Sequence, residues 1–245
     1  MGAGKVEVRD HGPGIPAEAR ERIFDRFPQL TKERSDRFGM RSQQKAQAAY
    51  EAGKFQPDLV TVAIKDAEGS WGLATEDEGR RPQTTMEDLA ALKTPFRPHG
   101  RVTAGTSSPL TDGATMSLLA GGGAVKELGL TPKMRMVSFA FAGVQPEIMG
   151  IGPIAAIPKV LAQVGIKQDD LDWIELNEAF AAQSLAVMQE LGINPDKVNP
   201  LGGAIALGHP LGATGAVRIA TVAHGLKRTG GKYGMVTMCI GTGMG

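Results

Sequence analysis

The stretch LGGAIALGHPLGATG at residues 201–215 places one histidine, His209, among five glycines. Glycine is needed where a backbone turns tightly or lets another group come close, so this reads as a loop built around an imidazole. Pro210 presets a turn, and residues 213–230 then read as a helix with Val217, Ile219, Ala220 and Val222 as its apolar positions. A histidine at a helix entry is equally compatible with a plain turn. Its company points further. Asn177-Glu178-Ala179-Phe180 follows the apolar strand-like run 173–176, and Cys239-Ile240-Gly241-Thr242-Gly243 follows the strand-like run 235–238. Three such ends therefore each present one polar reactive group: Asn177, His209 and Cys239.

Outward from these motifs, residues 134–245 alternate strand and helix. A strand is expected at 136–142 and a helix at 153–164, apolar at Ile154, Ile157, Val160, Leu161 and Val164. Pro158 lacks an N–H and should kink that helix or delay its start. Alternation of this kind predicts a largely parallel α/β layer with ligand groups at the strand ends. Upstream, Thr31 can cap a helix that Gly53 stops, residues 59–65 read as a strand with Val60, Val62 and Ile64 on one face, and Thr85 can cap a short helix over 86–92. The polar stretch 66–84 reads as a surface excursion anchored by Trp71 and Leu73.

The 245 residues are 42% apolar, enough for a core, and 27 basic against 26 acidic residues leave no nucleic-acid footprint. No continuous apolar run is long enough to span a membrane, and the first residues lack a signal core, so a cytoplasmic location is expected. The single cysteine excludes an internal disulfide and a multi-cysteine metal site.

Taken together, NEAFA, GGAIALGHPLGATG and CIGTGMG resemble the carboxy-terminal half of the thiolases, which make or break carbon–carbon bonds between acyl-CoA units. VTAGTSSPLTDGA at 102–114 and RRPQTTMEDLAALKTPF at 80–96 extend the resemblance, which reaches from about residue 29 to the end and is closest to the degradative 3-ketoacyl-CoA thiolases. It implies CoA as a substrate and no permanently bound cofactor or metal. Claisen chemistry needs a base beside the thioester α-carbon and donors for the enolate oxygen. By resemblance, Cys239 is the acid/base cysteine and the Gly241 N–H faces an oxyanion. His209 would activate a nucleophilic cysteine and donate to the thioester oxygen, and Asn177 would hold a water beside it. Ala104 and Ser108 match positions along the pantetheine arm. Plainer roles stay open: Asn177 as N-cap of a helix over 179–191, Ser108 as a cap beside Pro109, and Cys239 as core filler.

Residues 5–27 resemble a fragment of the ATP-binding domain of sensor histidine kinases, with Asp10 matching its adenine-binding aspartate, Gly12 and Gly14 its glycine box, and IFDRF at 23–27 its phenylalanine box. A strand, turn and helix without a ligand explains the same residues. The expected fold is thus an α/β thiolase-like layered fold, truncated, with the carboxy-terminal domain nearly complete and the amino-terminal domain mostly missing. The expected segments are a foreign 1–28, part of the loop domain at 29–104, a remnant of the amino-terminal domain at 105–132 and the carboxy-terminal domain at 133–245. The family adds one more strand beyond residue 245 and carries its nucleophilic cysteine in the earlier half, so this chain by itself is expected to be inactive. The family is homo-oligomeric, so pairing with an intact thiolase subunit is one expectation; a non-catalytic CoA-binding or assembly remnant and a nucleotide-binding kinase fragment are the rivals.

Overall fold

The computed structural model describes residue 27 and residues 29–245. The first part contains helix α1 (Lys32–Glu51), strands β1 (Val62–Lys65) and β2 (Trp71–Ala74), and the short helices α2 (Met86–Ala91) and α3 (Gly122–Glu127). Helix α4 (Gly152–Val164), strand β3 (Trp173–Leu176), helices α5 (Ala181–Leu191), α6 (Ala204–Leu207) and α7 (Thr214–Thr229), and strand β4 (Gly234–Thr237) complete it.

β3 is buried at all four positions and pairs in parallel with β4, Trp173 opposite Gly234 and Leu176 opposite Thr237. On its other edge the Ile174 N–H donates to the Lys197 carbonyl at 2.9 Å, and the Asn199 N–H donates to the Ile174 carbonyl at 2.8 Å. Both faces of the strand are covered, as expected of a parallel layer. Ile174 and Leu176 join Ile157 of α4 and Val187 of α5 in one apolar cluster, while Trp173 packs with Val222 of α7, Ala49 and Phe55 in another. Gly225 makes that second face possible, because a Cβ there would lie 2.8 Å from the Trp173 ring. Truncating Leu176 to alanine would cost roughly 2–5 kcal/mol on the usual scale for buried leucines.

Local signals place the helices. Thr31 caps α1 by accepting from the Arg34 N–H, and Gly53 follows the helix at φ 64°. Thr85 and Asp88 form a reciprocal capping box on α2. Gly165, Gly192 and Gly230 each end a helix in the left-handed region.

Several expectations are corrected. Residues 136–142 form no strand: among the described residues their backbone-to-backbone bonds are confined to Ala142, which exchanges a pair with Gly245, while Val137, Phe139 and Phe141 stand exposed. Among the described residues no neighbouring strand is hydrogen-bonded along them. The stretch 66–84 includes β2 of an antiparallel hairpin, and its expected anchors Trp71 and Leu73 are 72% and 68% exposed. Val60, Val62 and Ile64 are exposed too. Pro158 lies inside α4 without delaying its start at Gly152. The run Pro146–Val164, a 3-10 turn continued by α4, is long enough and on average apolar enough to cross a membrane, although Glu147 and Lys159 interrupt it. Its buried residues Ile151, Ala156 and Ile157 face the protein interior, as those of a core helix do.

The kinase-like reading of Asp10, Gly12, Gly14 and residues 23–26 lies outside the described residues. Phe27, which closes that segment, is 2% exposed and packs with Leu30, Val102 and Ile151.

Candidate active site

Asn177 and Cys239 leave the same end of adjacent parallel strands. The Asn177 N–H continues the ladder by donating to the Thr237 carbonyl at 2.9 Å, and Cys239 follows two residues beyond Thr237. His209 reaches the first of them: its Nε2 lies 3.3 Å from Asn177 Nδ2. Asn177 therefore does not cap a helix, since α5 begins at Ala181 with Phe180 before it. Its Oδ1 is buried and has no partner among the described residues, which leaves an acceptor that a water can fill.

The imidazole is held in one tautomer by its other nitrogen. His209 Nδ1 lies 2.7 Å from Thr214 Oγ1, and that hydroxyl donates to the Pro210 carbonyl at 2.9 Å. With its proton committed to Pro210, Thr214 accepts from Nδ1–H, and Nε2 keeps the lone pair that meets the Asn177 amide. Burial, then the Arg218 charge, lowers the His209 pKa, so the neutral ring is favoured.

Cys239 is 7% exposed, and burial pushes its thiol up to about 11 against a smaller lowering by its own backbone N–H. It is a protonated thiol at neutral pH. Beyond it the chain turns sharply: Thr242 and Gly243 adopt φ of 69° and 92°, and Ile240 and Met244 pair across the turn. Gly241 stands exposed there with open space where a side chain would be.

The 102–114 segment is tied to the same place. The Ser108 N–H donates to the Ala179 carbonyl at 3.0 Å, and Thr111 Oγ1 accepts from the His209 N–H at 3.1 Å. No helix follows Ser108, so it is not an N-cap. Ala104 is exposed in the 3-10 turn Ala104–Thr106, and no contact draws it to the Asn177–His209 pair. A cleft of about 420 Å³ opens between Thr111–Thr115 and Pro210–Ala213; none of Asn177, His209 or Cys239 lines it. Among the described residues no cluster of His, Cys, Asp or Glu is arranged to hold a metal.

Thr111, Thr214, Glu178 and Ser42 were not singled out by the sequence. Thr111, Thr214 and Glu178 lie inside the quoted motifs, and for the last two the offset from His209 and Asn177 was the available signal. Beneath the site, Glu175 and Arg218 form a buried pair at 3.3 Å, with the Trp173 indole N–H donating to Glu175 at 2.8 Å. Burial raises the Glu175 carboxyl to about 7 despite Arg218.

Among known proteins, family models for the thiolase amino-terminal domain and the thiolase carboxy-terminal domain match residues 14–122 and 130–245. The chain belongs to the thiolase family. It is 49% identical over 230 residues to peroxisomal 3-ketoacyl-CoA thiolase B of Rattus norvegicus, covering 92% of this chain and 54% of that thiolase. It is 46% identical over 237 residues to the beta-ketoadipyl-CoA thiolase of Pseudomonas putida, covering 96% and 59%. The crystal structure of human mitochondrial 3-ketoacyl-CoA thiolase superposes with a TM-score of 0.86 at 39% identity, covering 93% of this chain and 57% of that one. The same human thiolase in complex with CoA gives 0.84 at 38%, covering 93% and 56%. The chain spans about half the length of the curated thiolases it matches. The expectation that the thiolase amino-terminal domain is mostly missing is not supported, because its family model begins at residue 14 and runs to 122. A short pattern such as the one around Asp10 and Gly12 is a weak signal beside agreement spread over that whole span.

Proposed function

We propose that Asn177, His209, Cys239 and Gly241 form the acid–base and oxyanion side of a thiolase site acting on acyl-CoA thioesters, converting 3-ketoacyl-CoA and CoA to acyl-CoA and acetyl-CoA as in fatty acid β-oxidation. The contact between Asn177 and His209, at 3.3 Å, carries this reading because it joins two of the three strand-end motifs. When the carbon–carbon bond breaks, the departing acetyl-CoA enolate needs a proton, and the Cys239 thiol is in the form that supplies one. The Gly241 N–H would hold the enolate oxygen. Once its Nε2 has taken the proton of the incoming nucleophilic thiol, His209, with a water on Asn177, would hold the other thioester oxygen, and the pantetheine arm would run past Ala104 and Ser108.

Cys239 is the sole cysteine of these 245 residues, so the thiol that carries the acyl group would come from outside them. In this reading the unmixed chain does not thiolyse, and it gains activity by pairing with a polypeptide that brings that thiol, such as an intact thiolase subunit. A non-catalytic, CoA-binding or assembly role is the second reading, favoured by the exposed apolar face of Val137, Phe139 and Phe141.

The test is to incubate the purified chain with acetyl-CoA in deuterated water and, separately, with acetoacetyl-CoA and CoA. Deuterium uptake that disappears in Cys239→Ala, without thiolysis, is expected. CoA binding without uptake would favour the second reading. Robust thiolysis would show that a group within these residues takes the acyl chain.

A further inference from the structure

We infer that Glu178 is the positioning residue that sets the Asn177–His209 pair, by tying the end of β3 to the turn that leads to the imidazole. Its side chain is 2% exposed and accepts from three donors: the Ser42 hydroxyl at 2.7 Å, Asn199 Nδ2 at 2.8 Å and the Ile205 N–H at 3.2 Å. Ser42 Oγ in turn accepts the Gly203 N–H at 3.0 Å, so its own proton is available to Glu178. Every group facing the side chain is a donor, and only an acceptor with no N–H of its own satisfies all three. Gly203 completes the arrangement, because a Cβ there would overlap the Glu178 carboxyl.

Four segments meet on this one side chain: α1 through Ser42, the end of β3 through its own backbone, the residues before Leu201 through Asn199, and α6 through Ile205. Asn177 is its immediate neighbour, and α6 is followed at once by Gly208 and His209. The contact that depends on them, 3.3 Å between two nitrogens, is already long for a hydrogen bond, so a displacement of a few tenths of an ångström removes it. Glu178 touches neither substrate nor the ring; it acts through Asn177 and His209, and this inference rests on the proposed role of that pair.

The experiment labels histidine with ¹⁵N in the whole chain and follows ring nitrogen shifts across pH in the wild type, Glu178→Gln and Ser42→Ala. His224 on α7, whose ring bonds Asp58, serves as the internal reference. The expected result is that the Nε2 shift of His209 in folded Glu178→Gln moves away from its wild-type value as the Asn177 contact is lost, and that the ring titrates at a displaced midpoint, with His224 unchanged. Ser42→Ala should move His209 in the same direction by less, and it decides the matter if Glu178→Gln does not fold. A purely structural role would lower the unfolding midpoint and leave the His209 signals of both folded variants as in the wild type; that outcome overturns the inference. Failure of deuterium uptake by the wild type would instead overturn the thiolase reading while leaving these shifts as they are.

Discussion

The side chain of Asn199 pairs with the backbone of Leu176 as a neighbouring strand would: Oδ1 accepts the Leu176 N–H at 2.9 Å and Nδ2 donates to the Leu176 carbonyl at 2.8 Å. The residue adopts φ 43°, a left-handed conformation that asparagine tolerates better than most residues. The last residue of β3 thereby has both backbone groups satisfied where the ladder would otherwise end. Asn199→Ala should strand a buried donor and acceptor and cost about 2–4 kcal/mol in urea unfolding. Asn199→Asp should cost at least as much, since it cannot donate and sets a second carboxyl beside Glu178. A loss below 1 kcal/mol in both would contradict this account.

Gly203 and Gly212 lie in the same motif and should behave oppositely. A Cβ at Gly203 runs into Glu178, while one at Gly212 meets nothing within 4 Å. Gly203→Ala is expected to lose about 3 kcal/mol or more, and Gly212→Ala to stay within roughly 0.5 kcal/mol of the wild type. Thermal and urea unfolding of the two variants side by side make the comparison.

Thr214→Val keeps the shape of the side chain and removes the oxygen that receives Nδ1–H. The expected cost is about 1 kcal/mol, because the half-buried ring can turn toward water. The decisive readout is chemical: His209 should populate both neutral tautomers in ¹⁵N spectra. A single unchanged tautomer would mean that Thr214 does not orient the ring.

Cys239, with its thiol near 11, should alkylate slowly. At pH 8 iodoacetamide should react about a hundredfold or more slower than with free cysteine, whose thiol titrates near 8.5, and the rate should climb steadily up to about pH 11. Fast modification at pH 8 would place the sulfur in a more open or more positive setting than the fold gives it.

Glu175 supplies a pH dependence of stability. Its folded pKa of about 7 stands above the ordinary 4.5, so the fold prefers the protonated carboxyl. The contribution is complete below about 4.5 and is lost as pH rises through about 7, on the order of a few kcal/mol at most. Glu175→Gln should flatten that decline between pH 5 and 8. The difference between the two proteins isolates Glu175 from His209, whose lowered pKa works in the opposite sense. Parallel curves for wild type and variant would refute it.

What could be read from the sequence was local. Thr31, Gly53 and Thr85 announce helix ends through capping chemistry that needs no distant partner, and the run 173–176 is a strand in the structure over the same residues. The strand-end motifs likewise placed Asn177 beside His209. Residues 136–142 misled because a short apolar run is compatible with a strand but does not say what lies beside it. Trp71 and Leu73 looked like anchors because large apolar residues usually are, yet the hairpin carrying them is exposed on both strands. The buried contact between Glu178 and Ser42 is not legible in the sequence for a related reason. A polar residue reveals its burial only through partners far along the chain, and theirs are 136 residues apart.

That separation has a consequence during synthesis. Ser42 leaves the ribosome 161 residues ahead of Gly203, the N–H it will accept. At ordinary elongation rates this is a wait of roughly 10–30 s. Through that interval α1 carries Ser35, Asp36, Ser42 and Gln43 on the face that will end up buried. Being polar, that row stays hydrated and offers little for a half-made chain or a neighbouring polysome product to stick to. A face whose last partner arrives so late thus carries polar groups that make it less prone to cotranslational aggregation.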